Sequence, residues 1–157
     1  MKLAPSPTGG LRIDIEETDD WILLLGIIHD AQSPGFDLAD HVGSAMQHTS
    51  DWQDWTDYVM PDIREGYEQH LKCVLSAIEA AQLEAAGGAG TLWITREDAF
   101  HWYSALNQAR LALEDHHHFG PGADIDPAQL RPAELSAFCR SQFYCAIQSY
   151  LLDQGLG

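Results

Sequence analysis

What this 157-residue chain has least of is positive charge: eight Lys and Arg stand against 24 Asp and Glu, for a formal net charge of −16. Such a chain repels nucleic-acid phosphates and anionic lipid headgroups, and its basic residues are scattered singly with acids nearby. Partners among nucleic acids and membranes are therefore not expected. Cysteine is scarce too. Cys73, Cys139 and Cys145 show no C-x-x-C spacing, and six residues set the last two on different faces of a helix. Buried, reduced thiols of a cytoplasmic protein are expected, not a disulfide framework. Long apolar runs are missing: the longest, Trp21–Ile28, is far too short to span a bilayer. Residues 1–10 are polar, carry Pro5 and Pro7 and lack the apolar centre of a signal peptide, which again leads to the expectation of a cytoplasmic location. Nor is there a Gly-x-Ser-x-Gly, a P-loop, or a Gly-x-Gly-x-x-Gly behind a strand.

What remains is an ordinary globular composition, 45% hydrophobic and 20% charged, at a length that suits one domain with a proper core. Residues 1–10 read as a flexible N-terminal tail and 11–157 as a single helical domain. Leu11–Ile15 alternates apolar and polar residues like a half-buried strand. Thr18 with the acids behind it caps a nearly buried helix from Trp21 to about Ala31, which Ser33-Pro34-Gly35 stops. A short helix fits Phe36 to Met46, with Leu38, Val42 and Ala45 on one side. Ser50 or Asp51 can cap another that carries Trp52, Trp55 and Tyr58.

Pro61 opens a long helix whose stripe, Ile63, Tyr67, Leu71, Val74, Leu75 and Ile78, has helical spacing. Gly87-Gly88-Ala89-Gly90 breaks it. Leu92–Ile94 is a second short strand, and Thr95 with Asp98 resembles a capping box for the next helix, which carries Trp102, Leu106 and Leu113. Gly120-Pro121-Gly122 is a stop, Pro127 and Pro132 offer helix starts, and the last helix ends at Gly155. Ile13-x-Ile15 and Leu92-x-Ile94 each precede a capped helix with an Asp and a Trp. This internal echo would pair the two strands. The expected fold is mainly α: about four main helices with a minor two-stranded β ribbon.

The chemistry-bearing stretch is Leu113-Glu-Asp-His-His-His-Phe-Gly120. Consecutive helical residues cannot all converge on one ion, but Glu114 with His117 or His118 shares a face, and a residue from elsewhere could complete a divalent-metal site. The plainer reading is a helix C-terminus, whose partial negative charge favours imidazolium, followed by a glycine stop. Asp98 and His101 repeat the carboxylate-x-x-His spacing of di-iron bundles. Both pairs lie on one helix, however, about 24 Å apart at ~1.5 Å per residue, so they cannot serve one cluster. His70 and Cys73 are three apart, which would permit a thiolate–imidazole contact, but Cys73 lies beside the apolar stripe and buried packing is favoured. Trp52, Trp55 and Tyr58 among acids form either a satellite core or a partner-contact surface. Asn107 and Arg110 sit three apart in an otherwise apolar helix. With Trp102 they read as a structural network, Glu114 being one acid within reach of Arg110.

Trp102-Tyr-Ser-Ala-Leu-Asn-Gln-Ala-Arg-Leu-Ala-Leu113 resembles the W-x-x-A-L-N-x-x-R-L-A-L segment of the bacterial DUF2017 family. The resemblance implies a mainly helical bacterial protein, and its matched positions are Trp102, Leu106, Asn107, Arg110 and Leu113. The chain departs from that pattern after Leu113, where a Gly-Thr-Arg-Leu-Gly-like continuation is expected, so the histidines are not carried over. The leading expectation is a non-enzymatic cytoplasmic protein that acts through protein–protein contacts, with a protein partner or as a homodimer, and without a cofactor. The alternative is a metal-binding protein or metal-dependent hydrolase built on Glu114, His117 and His118.

Overall fold

The computed structural model describes residues 1–7, 9–44, 47–120 and 125–154. Ala45 and Met46 of the expected short helix, the Pro121-Gly122 stop and the end at Gly155 lie outside them. The protein is mainly helical, with one small antiparallel sheet. Its strands are β1 (Lys2–Pro5), β2 (Leu11–Ile15) and β3 (Gly90–Ile94), in the order β1-β2-β3. The central strand turns Leu11, Ile13 and Ile15 into the core, and its register with β3 sets Leu11 opposite Ile94 and Ile13 opposite Leu92. The pairing that the internal echo implied is present.

The expected two-stranded ribbon is corrected to three strands, and Lys2–Pro5 of the expected tail form β1. Two glycines carry that difference. Gly9 and Gly10 take φ of +85° and +92°, a region costly for any residue with a side chain. A Cβ on Gly10 would also lie 2.2 Å from the Ile94 carbonyl oxygen. The turn closes with Ser6 N–H donating to Gly10 C=O and Gly9 N–H to Ser6 C=O. Pro5 is tolerated because β1 is an edge strand. The Met1 ammonium is held by Glu16 at 2.7 Å and Asp20 at 3.1 Å.

The helices are α1 (Thr18–Ala31), α2 (Leu38–Gly43), α3 (Trp52–Asp54), α4 (Met60–Glu84), α5 (Ala99–His117) and α6 (Pro132–Asp153), with a π-helical turn at Trp55–Val59 and a 3-10 turn at Pro127–Gln129. Four of them are long, as expected, and the two expected short helices are α2, which begins at Leu38, and α3, which passes at Trp55 into the π-helical turn. The cap of α1 is Glu17 paired with Asp20, one residue earlier than expected. Helix α5 runs through the middle of the bundle against α1, α4 and α6. Its small residues Ala105, Ala109 and Ala112 are buried and let the neighbours approach closely, while Trp102 and Leu106 fill the space between. Trp21, Trp102 and Tyr144 are the largest fully buried side chains. The cysteine expectation is corrected. Cys73 and Cys139 are exposed and Cys145 is half-buried, because each lies next to its helix's buried stripe and not on it. Among the described residues, no helix is long and apolar enough to cross a membrane.

Candidate functional site

The histidine run sits where α5 ends. His118 adopts a left-handed conformation at φ +53°, so the chain turns on a histidine, two residues before Gly120. Its N–H donates to the Glu114 carbonyl at 2.8 Å, and the Glu114 carboxylate accepts the Gly120 N–H at 2.8 Å. Glu114 thus clasps the helix end, and the ion pair it could have made with Arg110 does not form. His117 stacks on Phe119, with ring centroids 5.1 Å apart and planes 15° apart. Burial, then the neighbouring His116, pushes its pKa below the usual histidine range. His116 and His118 are exposed. Glu114, His117 and His118 are not gathered round one point: among the described residues, no group of three or more His, Cys, Asp and Glu is placed to hold a metal ion.

The other histidine expectations rearrange. Asp98 is engaged by Thr95, whose hydroxyl donates to its carboxylate at 2.6 Å and accepts its N–H at 3.1 Å. His101 instead meets His70 of α4, Nδ1 to Nδ1 at 2.8 Å, with Phe100 edge-on to the His70 ring. One nitrogen must donate and the other accept, so at least one of the two rings is neutral in this contact. Burial, then His101, lowers the His70 pKa.

The Trp52, Trp55 and Tyr58 trio is split by the π-helical turn. The Met60 N–H reaches back to the Trp55 carbonyl, one residue further than in an α-helix, and the Thr56 hydroxyl bonds the Trp52 carbonyl at 2.9 Å. Trp55 and Met60 turn in against Gly43 of α2. A Cβ there would meet the Trp55 Nε1 at 3.3 Å and the Met60 sulfur at 3.1 Å. The Trp55 Nε1 is buried without a hydrogen-bond partner among the described residues. Trp52 is half-buried, while Tyr58 is 73% exposed with Val59 beside it. Exposed Asp51, Asp54 and Asp57 surround them.

Arg110 does join α5 to α6, though through an amide and not an acid. Its Nη1 donates to the Gln148 Oε1 at 2.6 Å, and the Gln148 amide donates to the Tyr103 carbonyl at 3.1 Å. Trp102, the third expected member of that network, is packed in the core. The Asn107 side chain makes no hydrogen bond among the described residues. With Arg110 it faces a cleft of about 400 Å³ between α5, α6 and the chain at Phe119–Gly120. Sequence reasoning missed a different arginine, Arg140, which forms a two-pronged pair with buried Asp30 of α1 at 2.7 and 3.0 Å, completed by the Tyr144 hydroxyl at 2.8 Å. Its one signal was an arginine set among the aromatic residues Phe138, Phe143 and Tyr144.

Among curated proteins and among solved structures, none matches this chain. Residues 42–154, which include α4, α5, α6 and the cleft between the last two, match DUF2017, a domain of unknown function. On that span, well over half its length, the chain belongs to the DUF2017 family.

Proposed function

We propose that this is a non-enzymatic cytoplasmic protein that works by contact with another protein, and that the surface from Asp51 to Val59 makes the contact. The observation that carries the reading is the 73% exposure of Tyr58, held outward on a π-helical turn and ringed by carboxylates. Such turns cluster at functional positions, and a tyrosine offers large contact area with little conformational entropy to lose. No Lys or Arg occurs from residue 13 to residue 63, so this segment's own charge is negative, and Arg64 beyond it is engaged by Asp37 and Asp40. Two copies meeting through it would oppose acid to acid. A different protein with a basic rim around an apolar pocket fits better than a homodimer.

A photo-crosslinking residue placed at position 58 tests this in the producing cell, with position 83 as control because Leu83 is also exposed, at 82%. Position 58 is expected to give a discrete adduct with one protein, weakened when Asp51, Asp54 and Asp57 are changed together to Asn. Identical adducts at both positions, or none at 58, would overturn the reading.

A further inference from the structure

The cleft between α5 and α6 is a separate place, and its arginine differs from six of the chain's other seven Lys and Arg. Six of the eight Lys and Arg side chains are paired with a carboxylate: Lys2 with Glu16, Arg12 with Asp14, Arg64 with Asp37, Lys72 with Glu68, Arg131 with Glu134 and Arg140 with Asp30. In a chain with three acids for every base, that is the default outcome. Arg110 departs from it. Its only hydrogen-bond acceptor among the described residues is the neutral Gln148 amide, and its Nε is buried with no partner. A guanidinium carries five donors, so this one is left with positive charge and unused donors.

Glu114 lines the same cleft, but its carboxylate accepts the Gly120 N–H that closes α5 and makes no ion pair with Arg110. Asn107, Ser141 and Gln142 line the walls with neutral donors and acceptors, and Phe119 and Phe138 pack edge to face on each other, centroids 5.6 Å apart, as one apolar wall. About 400 Å³ is within the usual range of small-molecule sites, which combine apolar walls with a few fixed polar groups. One guanidinium matches one planar carboxylate in charge and geometry. A phosphate dianion would want a second cation, and the cleft holds none among the described residues.

We propose that this cleft binds a small monocarboxylate with an apolar body, the carboxylate on Arg110 and the body against the wall that Phe119 and Phe138 form together. The test uses hexanoate and its neutral counterpart hexanamide as probes, with backbone amide NMR shifts of the full chain as readout. Hexanoate is expected to shift the amides of Asn107, Arg110 and Ser141 saturably, and hexanamide to leave them unmoved. Arg110→Met is expected to weaken hexanoate at least about tenfold, the loss of one charge-assisted pair. Gln142→Trp, at the exposed mouth, is expected to block the cleft without disturbing the core, so it decides the matter if Arg110→Met does not fold. No saturable shift, equal shifts from the amide, or unchanged hexanoate binding in either folded variant would overturn the proposal.

Discussion

Arg140 and Arg110 lie on adjacent helices, both half-buried, and the chain treats them in opposite ways. Arg140 meets Asp30 with two prongs, donates a third bond to the Ser136 hydroxyl at 3.0 Å, and shares the carboxylate with the Tyr144 hydroxyl. Gly26 makes room for that hydroxyl: a Cβ there would be 3.1 Å from it. Asp30 is only 4% exposed, so every oxygen it has is committed and the pair is closed to solvent on the acid's side. Arg110 has one neutral acceptor and an open cleft in front of it. A buried charge that is fully partnered joins α1 to α6 and has nothing left over for a ligand. A charge that is under-partnered gives up stability and keeps chemical capacity.

The largest expected effect breaks the closed side. Asp30→Ala strands the Arg140 guanidinium and the Tyr144 hydroxyl together. Removing one member of a buried pair costs about 3–5 kcal/mol, and the lower end applies because the Arg140 side chain retains 28% exposure and can turn toward water. Urea unfolding followed by circular dichroism measures it. Tyr144→Phe removes one hydroxyl bond to a charged group and should cost about 1.5–3 kcal/mol. Burial and then the Asp30 charge raise the Tyr144 pKa far above the ordinary tyrosine range, so its hydroxyl stays protonated throughout the accessible alkaline range. Arg110→Met should cost about 1–2 kcal/mol, since it leaves the buried Gln148 Oε1 without its donor while the stem keeps its packing and no charge is stranded. If Arg110→Met destabilises as much as Asp30→Ala, the two arginines are equivalent structural elements and the contrast between them disappears.

The same contrast explains which parts of the molecule could be read in the sequence. Trp102, Leu106 and Leu113 recur at helical spacing and are buried as that spacing requires, because the period of an α-helix is a local property. The β2–β3 pairing was legible because two short alternating segments preceded similar caps. Strand β1 was not, since Lys2-Leu3-Ala4-Pro5 is four residues long and ends in a residue that usually breaks strands. Only the left-handed Gly9–Gly10 turn, read together with β2, makes it a strand. The cysteines were misplaced because one helical step, about 100°, separates a buried stripe from an exposed flank. Asp30 and Arg140 are 110 residues apart, and nothing in either helix alone distinguishes them from surface charges. The candidate cleft was half visible: Asn107 and Arg110 stood out as polar residues in an apolar helix, while the aromatic wall from Phe138 depends on how α6 packs.

The smallest effect concerns the third polar contact between helices, His70 with His101, which can lose its partnership without any mutation. The folded state holds the His70 pKa below its ordinary value, first by burial and then by the facing His101. The unfolded chain therefore takes up a proton sooner than the folded one as the pH falls. Stability from this contact is complete above the unfolded histidine pKa of about 6.5 and declines below it. No carboxylate is among the causes acting on His70, so none of them offsets its charge once the ring protonates. Thermal unfolding is expected to show a lower Tm at pH about 5.5 than at about 7.5, with a smaller difference in His70→Gln, which keeps the depressed pKa of His117 as a further source of acid sensitivity. Asp30→Ala leaves the His70–His101 contact in place, so the part of the difference that His70→Gln removes should persist in it. A pH dependence identical in wild type and His70→Gln would assign the acid sensitivity to other groups and leave the histidine pair as packing alone.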